Sequence, residues 1–201
     1  MSSTVLDMSM SLDGFVADPN ENPERLHEWV FPGAEGGDFD AAVARLTGVN
    51  RQIYDEFMST GAVVAGRGTF EPAEGWGGDH HDGVPIYILS RGPAPDWAAG
   101  WPNVQYMSDL AAAMRDAKAA AGDKDVLVHG AGIAPRALKL GVLDELSIHV
   151  VPVLFGEGRR LFDDLGAELR ELEQTRVLEG EGGVVHLRFT VRAPASAPRA
   201  P

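Results

Sequence analysis

Two turns that carry glycine or arginine follow predicted strands, and their residue types suit a phosphate-bearing ligand. The segment Gly66-Arg67-Gly68-Thr69-Phe70 comes directly after the predicted strand Ala62–Ala65. Glycine lets the backbone approach a ligand closely, and an arginine can bind a phosphate through two donors. Ser90-Arg91 follows the predicted strand Pro85–Leu89 and offers a hydroxyl and a second guanidinium. Each segment alone is also explained by an ordinary surface turn, so both interpretations stay open.

A third turn, His129-Gly130-Ala131-Gly132-Ile133-Ala134, lies between a predicted strand over Asp125–His129 and a predicted helix that ends at Gly141. A glycine-rich turn between strand and helix is the geometry that places a pyrophosphate on backbone N–H groups. Pro135 occupies the last position of the dinucleotide-binding fingerprint, and Asp144 opens a strand where an acidic strand end is expected. These departures exclude a standard Rossmann domain.

The remaining segments predict how these turns are positioned. Strands are predicted at 4–10, 62–65, 85–89, 104–107, 125–129, 145–151, 169–178 and 184–192, and helices at 39–58, with a break near Gly48, at 110–121 and before Gly141. This alternation predicts an α/β fold, a single three-layer domain with a mostly parallel mixed sheet, flanking helices and a C-terminal antiparallel hairpin. Ligands of such sheets bind at the carboxyl ends of the strands, where the three turns lie.

Other candidate residues carry weaker signals. Asp13 follows the first predicted strand and is either a catalytic acid, a substrate ligand or an Asx-turn residue before Gly14. Trp29, in a long excursion over 18–38, could stack on a planar substrate or anchor its own loop. The pair His80-His81 is better explained by a solvated loop than by a metal site, and His149, on a predicted strand, by a structural role.

Composition excludes several classes of protein and site. The 201 residues contain no cysteine, which excludes disulfides, thiolate nucleophiles and Cys-ligated metal centres. The net charge of −13 disfavours nucleic acid as a partner. No apolar run approaches the roughly 20 residues of a membrane span, and residues 1–10 lack the pattern of a signal peptide. We therefore expect one cytoplasmic domain over 1–192, and a disordered Pro/Ala tail over 193–201.

Five motifs in their order along the chain resemble the dihydrofolate-reductase-like superfamily. They are MSLDGFVA at 10–17, GRGTFE at 66–71, ILSR at 88–91, VHGAG at 128–132 and PVLFGEGRRLF at 152–162. The resemblance is greatest to the branch of the riboflavin-biosynthesis deaminase-reductase C-terminal domain and its stand-alone relatives, and it spans about residues 4 to 192. It implies that fold and NADPH as the hydride donor. Neither the folate-binding carboxylate nor the basic residues for a phosphorylated ribityl substrate can be assigned here.

The resemblance also implies roles for individual residues. Arg67, Arg91 and Ser90 would hold the adenosine 2′-phosphate, and Gly66, Thr69, Gly130, Ala131, Gly132, Ile133 and Ala134 the pyrophosphate. Leu12, Gly14 and Ala17 would line the nicotinamide pocket, and Leu154, Phe155 and Gly156 would flank the cofactor from the other side. Asp13 is the candidate catalytic residue and Trp29 the candidate substrate contact; no metal ligand is predicted.

Two hypotheses of different classes follow. The first is an NADPH-dependent reductase that acts on a planar N-heterocyclic or carbonyl small molecule, and the second is a non-catalytic NADPH-binding or sensor module. A metal-dependent hydrolase would rest on His80-His81 alone. Members of the resembling branch are commonly dimers, and the terminal hairpin leaves a sheet edge to be covered. We therefore expect a homodimer with a two-fold axis.

Overall fold

The computed structural model describes residues 2–34, 38–166 and 169–192, so the tail predicted over 193–201 lies outside the described residues. The strands are β1 Thr4–Ser11, β2 Phe15–Ala17, β3 Ala62–Gly66, β4 Ile86–Leu89, β5 Val104–Met107, β6 Val126–His129, β7 Glu145–Val151, β8 Arg159–Arg160, β9 Leu172–Glu179 and β10 Val185–Val191. The helices are α1 Glu24–His27, α2 Phe39–Ala44, α3 Gly48–Met58, α4 Arg67–Phe70, α5 Leu110–Ala121 and α6 Ala134–Leu140. Short 3₁₀ turns occupy Glu74–Gly78, Asp96–Ala98 and Glu181–Gly183.

Eight strands form one mixed sheet in the order β5-β4-β3-β6-β1-β7-β10-β9. The six strands from β5 to β7 run parallel to one another. β10 runs antiparallel to both of its neighbours, β7 and β9, and it forms the terminal hairpin with β9. The predicted α/β class, with a mostly parallel sheet and an antiparallel hairpin, is confirmed.

The central strands bury side chains on both faces of this sheet. Neighbouring residues of a strand point to opposite faces. Val64 and Val128 therefore join the apolar core that contains α5 and α6, while Val63 and Leu127 join the core on the other face around Phe70. Because both faces are covered, β3 and β6 are almost entirely apolar, as buried parallel strands are.

One local feature was not predicted from the sequence. The turn after β1 leads into β2, which pairs antiparallel with β8 in a separate two-stranded ribbon. This pairing links residues about 145 apart in the chain, and the short segments show no local strand pattern. The break predicted near Gly48 in the helical segment 39–58 is confirmed, since Gly48 begins α3 with a φ of +55° that favours glycine.

In the part of the chain that the structure describes, none of the helices has the length and apolar character of a membrane span.

Candidate functional site

The predicted ligand-binding turns lie side by side at one edge of the sheet. The strands β4, β3, β6, β1 and β7 are consecutive neighbours and parallel, so their carboxyl ends lie at the same edge. Along this edge, in order, are Ser90-Arg91, Gly66–Thr69, Gly130–Ala134, Leu12–Gly14 and Leu154–Gly156. The topology thus brings together segments that are spread over 145 positions of the sequence.

The β3 and β6 turns are in close contact. Gly130 has a φ of +109°, and a Cβ atom built on it would lie 2.6 Å from Thr69 Oγ1. Its N–H points at Met8 Sδ of β1, 3.2 Å away. Only glycine satisfies both the backbone conformation and the space at this position. Gly66 lies beside Ile133, and a Cβ built on it would be 3.7 Å from Ile133 Cγ1, an ordinary van der Waals distance.

Within the β6 turn, the backbone donors divide into two groups. The N–H groups of Ile133 and Ala134 donate to Gly130 O, at 3.0 and 3.1 Å, and their side chains are buried. Among the described residues, no backbone acceptor pairs with the N–H groups of Ala131 and Gly132. These two amides are therefore the donors of the turn that are left for a ligand.

Two arginines lie at the β3 and β4 end of the edge. The Arg67 side chain reaches the β4 turn, since a Cβ built on Gly92 would lie 3.4 Å from Arg67 Nη1. Its Nε donates to Glu71 Oε1 at 2.6 Å, one helical turn away. Arg91 is exposed, and within the described ranges no carboxylate pairs with it. Ser90 Oγ accepts from Gly92 N and donates to Gly92 O, at 3.0 and 2.8 Å, which folds this turn.

Asp13 links the β1 turn to the segment after β7. Its carboxylate accepts a hydrogen bond from Ser11 Oγ at 2.6 Å and from the N–H groups of Phe155 and Gly156 at 3.2 and 2.7 Å. The Ser11 hydrogen bond, supported by these two amides, lowers the pKa of Asp13 to about 2 despite a partial opposing effect of desolvation. The group is therefore ionised at neutral pH.

Two large apolar side chains project from the same edge. Leu12 is 65% exposed and Leu154 is 70% exposed, and Leu12 N donates to Val153 O at 2.9 Å. Exposed apolar side chains around a glycine-rich edge are typical of ligand contacts. Ala17, by contrast, is buried in β2, where its carbonyl oxygen packs against Gly158.

Sequence reasoning missed a third arginine here. A Cβ built on Gly68 would lie 3.0 Å from Arg159 Nη1, so the loop after β7 reaches the start of α4. Arg159 also forms an ion pair with Glu21 at 2.5 Å. The adjacent pair Arg159-Arg160, inside a motif already assigned to the cofactor side, is the signal that could have identified it.

The histidine pair at 80–81 forms hydrogen bonds inside the protein. His81 Nε2 lies 2.9 Å from Thr60 O, and the two Nδ1 atoms of His80 and His81 are 2.7 Å apart. Burial, together with the charges of His129 and His81, lowers the pKa of His80 to about 2. In the described ranges, no three His, Cys, Asp or Glu side chains converge on a possible metal position.

Trp29 packs over a row of polar side chains on the α3 side of the sheet. Its Nε1 donates to Ser9 Oγ at 2.8 Å, and its ring lies 4.6 Å from His149 and 4.8 Å from His186 between centroids. Ser9 and His149 are register partners on β1 and β7. The structure thus brings the predicted substrate contact next to His149, for which the sequence predicted only a structural role.

A family model for the RibD C-terminal domain matches residues 3–186. The chain belongs to the RibD C-terminal domain family. The predicted resemblance is therefore confirmed over nearly the whole chain. No curated protein sequence matches it.

Solved structures show the same fold as this RibD C-terminal domain. A Shewanella sp. PV-4 protein with a provisional riboflavin-biosynthesis name superimposes with a TM-score of 0.74 at 18% identity, covering 95% of this chain and 99% of that one. A pyrimidine reductase-like protein from Corynebacterium diphtheriae gives 0.63 at 14% identity, covering 96% and 92%. RibD from Acinetobacter baumannii gives 0.65 at 18% identity; this chain is 96% covered but spans only 58% of that protein.

Proposed function

We propose that this RibD C-terminal domain family member is an NADPH-dependent reductase that transfers hydride to a planar N-heterocyclic or carbonyl small molecule. The observation that carries the proposal is the single edge at which five parallel strand ends present glycine turns, arginines and exposed leucines. Open α/β sheets bind their ligands at such an edge. The name of the Corynebacterium protein, pyrimidine reductase-like, and the riboflavin-biosynthesis name of the Shewanella protein support a reductase of this type.

The residues of the edge fit an extended dinucleotide. At one end, Arg67 and Arg91 provide two guanidinium groups beside the Ser90 turn, which suits the 2′-phosphate that distinguishes NADPH from NADH. The ion pair between Arg67 and Glu71 is exposed, and exposed pairs contribute little stability, so a phosphate can compete for this arginine.

The middle of the edge suits a pyrophosphate. Gly66, Thr69 and Gly130 bring two backbone segments so close that a side chain at Gly130 would clash. The N–H groups of Ala131 and Gly132 lie in the same turn as the Ile133 and Ala134 positions assigned to the cofactor. Arg159 adds a cation beside Gly68. Backbone amides and a guanidinium are the usual donors to phosphate oxygens.

The other end suits the nicotinamide. Leu12, Gly14 and Ala17 would line the ring on one side, and Leu154, Phe155 and Gly156 on the other. When bound, NADPH supplies the hydride, while the protein holds the two reacting rings together and excludes water. Trp29 would contact the planar substrate on the α3 side of the sheet, beside His149.

Asp13 stays a predicted catalytic residue, but its contacts favour the alternative, structural role. Its carboxylate is ionised and is engaged by Ser11, Phe155 and Gly156. An ionised carboxylate has no proton to give, so it could act only by accepting hydrogen bonds or by relaying a proton that it receives. Its clear effect is to hold the β1 turn against the loop that would flank the cofactor.

The test is an equilibrium titration of the purified protein with NADPH and NADH, followed by an assay of NADPH oxidation with a panel of planar heterocycles and carbonyl compounds. We expect NADPH to bind at least about tenfold tighter than NADH, because a charge-assisted phosphate bond contributes roughly 1.5–3 kcal/mol. Equal dissociation constants would contradict the 2′-phosphate site. Tight NADPH binding without oxidation of the cofactor would instead support a binding module.

We further propose that the protein acts in the cytoplasm as a homodimer. The outer strand β9 forms one edge of the large sheet and its side chains are mostly exposed. The unpaired backbone groups of an edge strand can pair with other chains unless they are covered, and a two-fold contact with a second copy would cover them. Light scattering at micromolar concentration should give twice the mass of the chain; a monomer mass would contradict the proposal.

A further inference from the structure

A row of four polar side chains, three of them buried and the fourth, Asp7, 13% exposed, crosses three strands and one helix beneath Trp29. Asp7 Oδ1 of β1 lies 3.0 Å from His149 Nε2 of β7, and His149 Nδ1 lies 2.9 Å from His186 Nδ1 of β10. His186 Nε2 in turn lies 3.1 Å from Asn50 Oδ1 of α3. The two histidines and the asparagine are at most 4% exposed, so each of their polar atoms needs a partner inside the protein.

The orientation of Asn50 is fixed by its backbone partners. Its Nδ2 lies 3.1 Å from Trp29 O and 3.2 Å from Glu181 O, and carbonyl oxygens only accept hydrogen bonds. The Oδ1 atom therefore faces His186, and His186 Nε2 must donate to it. Burial and the charge of His149 lower the pKa of His186 to about 4, so this ring is neutral and its Nδ1 accepts.

The remaining hydrogen bonds of this row, between His186, His149 and Asp7, then require one additional proton. Because His186 Nδ1 accepts, His149 Nδ1 must donate to it. A neutral His149 would then carry no proton on Nε2. In that state Nε2 and an ionised Asp7 Oδ1, which lie 3.0 Å apart, would both be hydrogen-bond acceptors. The hydrogen bond of 3.0 Å therefore contains one proton between Asp7 Oδ1 and His149 Nε2, and an imidazole nitrogen binds a proton more strongly than a carboxylate does. Burial raises the pKa of Asp7, but the charge and hydrogen bond of His149, the charge of His129 and a hydrogen bond from Ser147 together lower it below its usual value, in line with this assignment.

The same row of side chains holds Trp29 from several sides. The rings of His149 and His186 contact its indole, Asn50 donates to its carbonyl oxygen, and Ser9, the register partner of His149, accepts its N–H. The indole centroid lies 4.6 Å from the His149 ring, within the distance at which an aromatic ring attracts a cation.

We infer that Asp7 and His149 form a buried ion pair that, through His186 and Asn50, positions Trp29 for the substrate. Asp7, His149, His186 and Asn50 are positioning residues, since they act through Trp29. Their role in substrate binding rests on the proposed reductase function, whereas the charged state of the pair and its hold on Trp29 do not.

The experiment uses the full chain with ¹⁵N-labelled histidine and tryptophan. At neutral pH we expect the nitrogen shifts of His149 to be those of an imidazolium, and the Trp29 indole N–H, assigned with Trp29→Phe, to exchange slowly. Asp7→Asn is the conservative variant, because its side-chain amide can donate to His149 Nε2 without a charge. Asp7→Leu has a similar volume and donates nothing.

The two variants should separate charge from position. In Asp7→Asn, His149 should become neutral while Trp29 exchange stays within about threefold of wild type; in Asp7→Leu, exchange should be at least about tenfold faster, since an unpaired buried group favours local opening. NADPH affinity should be unchanged in both. If Asp7→Leu does not fold, Asn50→Ala, which removes the bond to the Trp29 carbonyl, should give the same faster exchange.

Distinct results would overturn each part. A neutral His149 in the wild-type protein at neutral pH would refute the ion pair, and slow Trp29 exchange in both Asp7→Leu and Asn50→Ala would refute the positioning role. Absence of NADPH binding by the wild-type protein would contradict the proposed function and leave both of these measurements intact.

Discussion

The carboxyl edge of the sheet and the polar row beneath Trp29 satisfy their polar groups in opposite ways. At the edge, Arg91 and the N–H groups of Ala131 and Gly132 have no described protein partner. In the row, Asp7, His149, His186 and Asn50 bond to one another and to the backbone. Donors left at a surface are available to a ligand, whereas paired buried groups hold the protein in one conformation. Variants at the edge should therefore change cofactor affinity, and variants in the row should change stability.

Gly130→Ala tests the edge with the largest expected effect. A Cβ at Gly130 would clash with Thr69 Oγ1, and its φ of +109° is one that only glycine adopts easily. We expect the free energy of unfolding to fall by about 1–3 kcal/mol and the NADPH dissociation constant to rise at least about tenfold. Gly122→Ala is the matched control, because Gly122 also has a positive φ, of +63°, a Cβ there meets nothing within 4 Å, and the residue precedes β6, away from the carboxyl edge. Equal NADPH affinities of the two variants would contradict the proposed pyrophosphate site.

Asn50→Ala tests the row. It leaves His186 Nε2 and the carbonyl oxygens of Trp29 and Glu181 without their side-chain partner. The free energy of unfolding should fall by about 1–3 kcal/mol in a urea titration, the cost of unpaired buried polar groups. NADPH affinity, measured well below the unfolding midpoint, should stay at the wild-type value. A large loss of affinity with full stability would show that the two regions are not separate.

Arg67→Gln and Arg91→Gln sharpen the comparison at the adenosine end. Each should raise the NADPH dissociation constant about tenfold and leave NADH binding nearly unchanged, because only NADPH has a 2′-phosphate for the arginine to bind. Thermal stability should hardly change, since both side chains are exposed. Arg115→Gln, in α5 and 72% exposed, is the matched control because no cofactor contact is assigned to it. An equal loss of affinity for NADPH and NADH would show instead that the arginines bind a part of the dinucleotide that both cofactors share.

Asp13→Asn has the smallest expected effect and separates the two roles left open for this residue. The pKa of Asp13 is lowered from 3.8 to about 2, so the ionised form stabilises the fold above its unfolded pKa. This stabilisation is lost as the pH falls through the folded value. Melting temperatures measured between pH 4 and 2 should therefore decline less in Asp13→Asn than in wild type.

At neutral pH, the same variant should melt a few degrees lower and bind NADPH normally, because asparagine retains one acceptor for the amides of the β7 loop. With a working substrate, a fall in turnover of about 10²–10⁴ would assign Asp13 to proton transfer. Turnover close to wild type would leave it as a residue that holds two loops together.

The sequence by itself determined the eight strands of the large sheet, the helices over 39–58, over 110–121 and before Gly141, and the five motifs. Strands such as Ala62–Ala65 and Glu145–Val151 bury side chains on both faces, and Gly122 and Gly141 directly follow the helices that they terminate, so local chemistry was sufficient. The positions of Arg67, Arg91 and Gly130 at strand ends followed from the same patterns. The family resemblance rested on the order of these motifs, which the match over residues 3–186 confirms.

Only the tertiary structure decided which of these residues meet. The pairing of β2 with β8, the contact of Arg159 with Gly68 and the bonds from Asp13 to Phe155 and Gly156 join segments more than 90 residues apart. The hydrogen-bonded row of Asp7, His149, His186 and Asn50 is the clearest case. A single charged residue in β1 and two histidines in other strands have no local sequence signal in common. Their role depends on strand order and register, which bring buried donors and acceptors within hydrogen-bonding distance, and this is set by the packing of the whole domain.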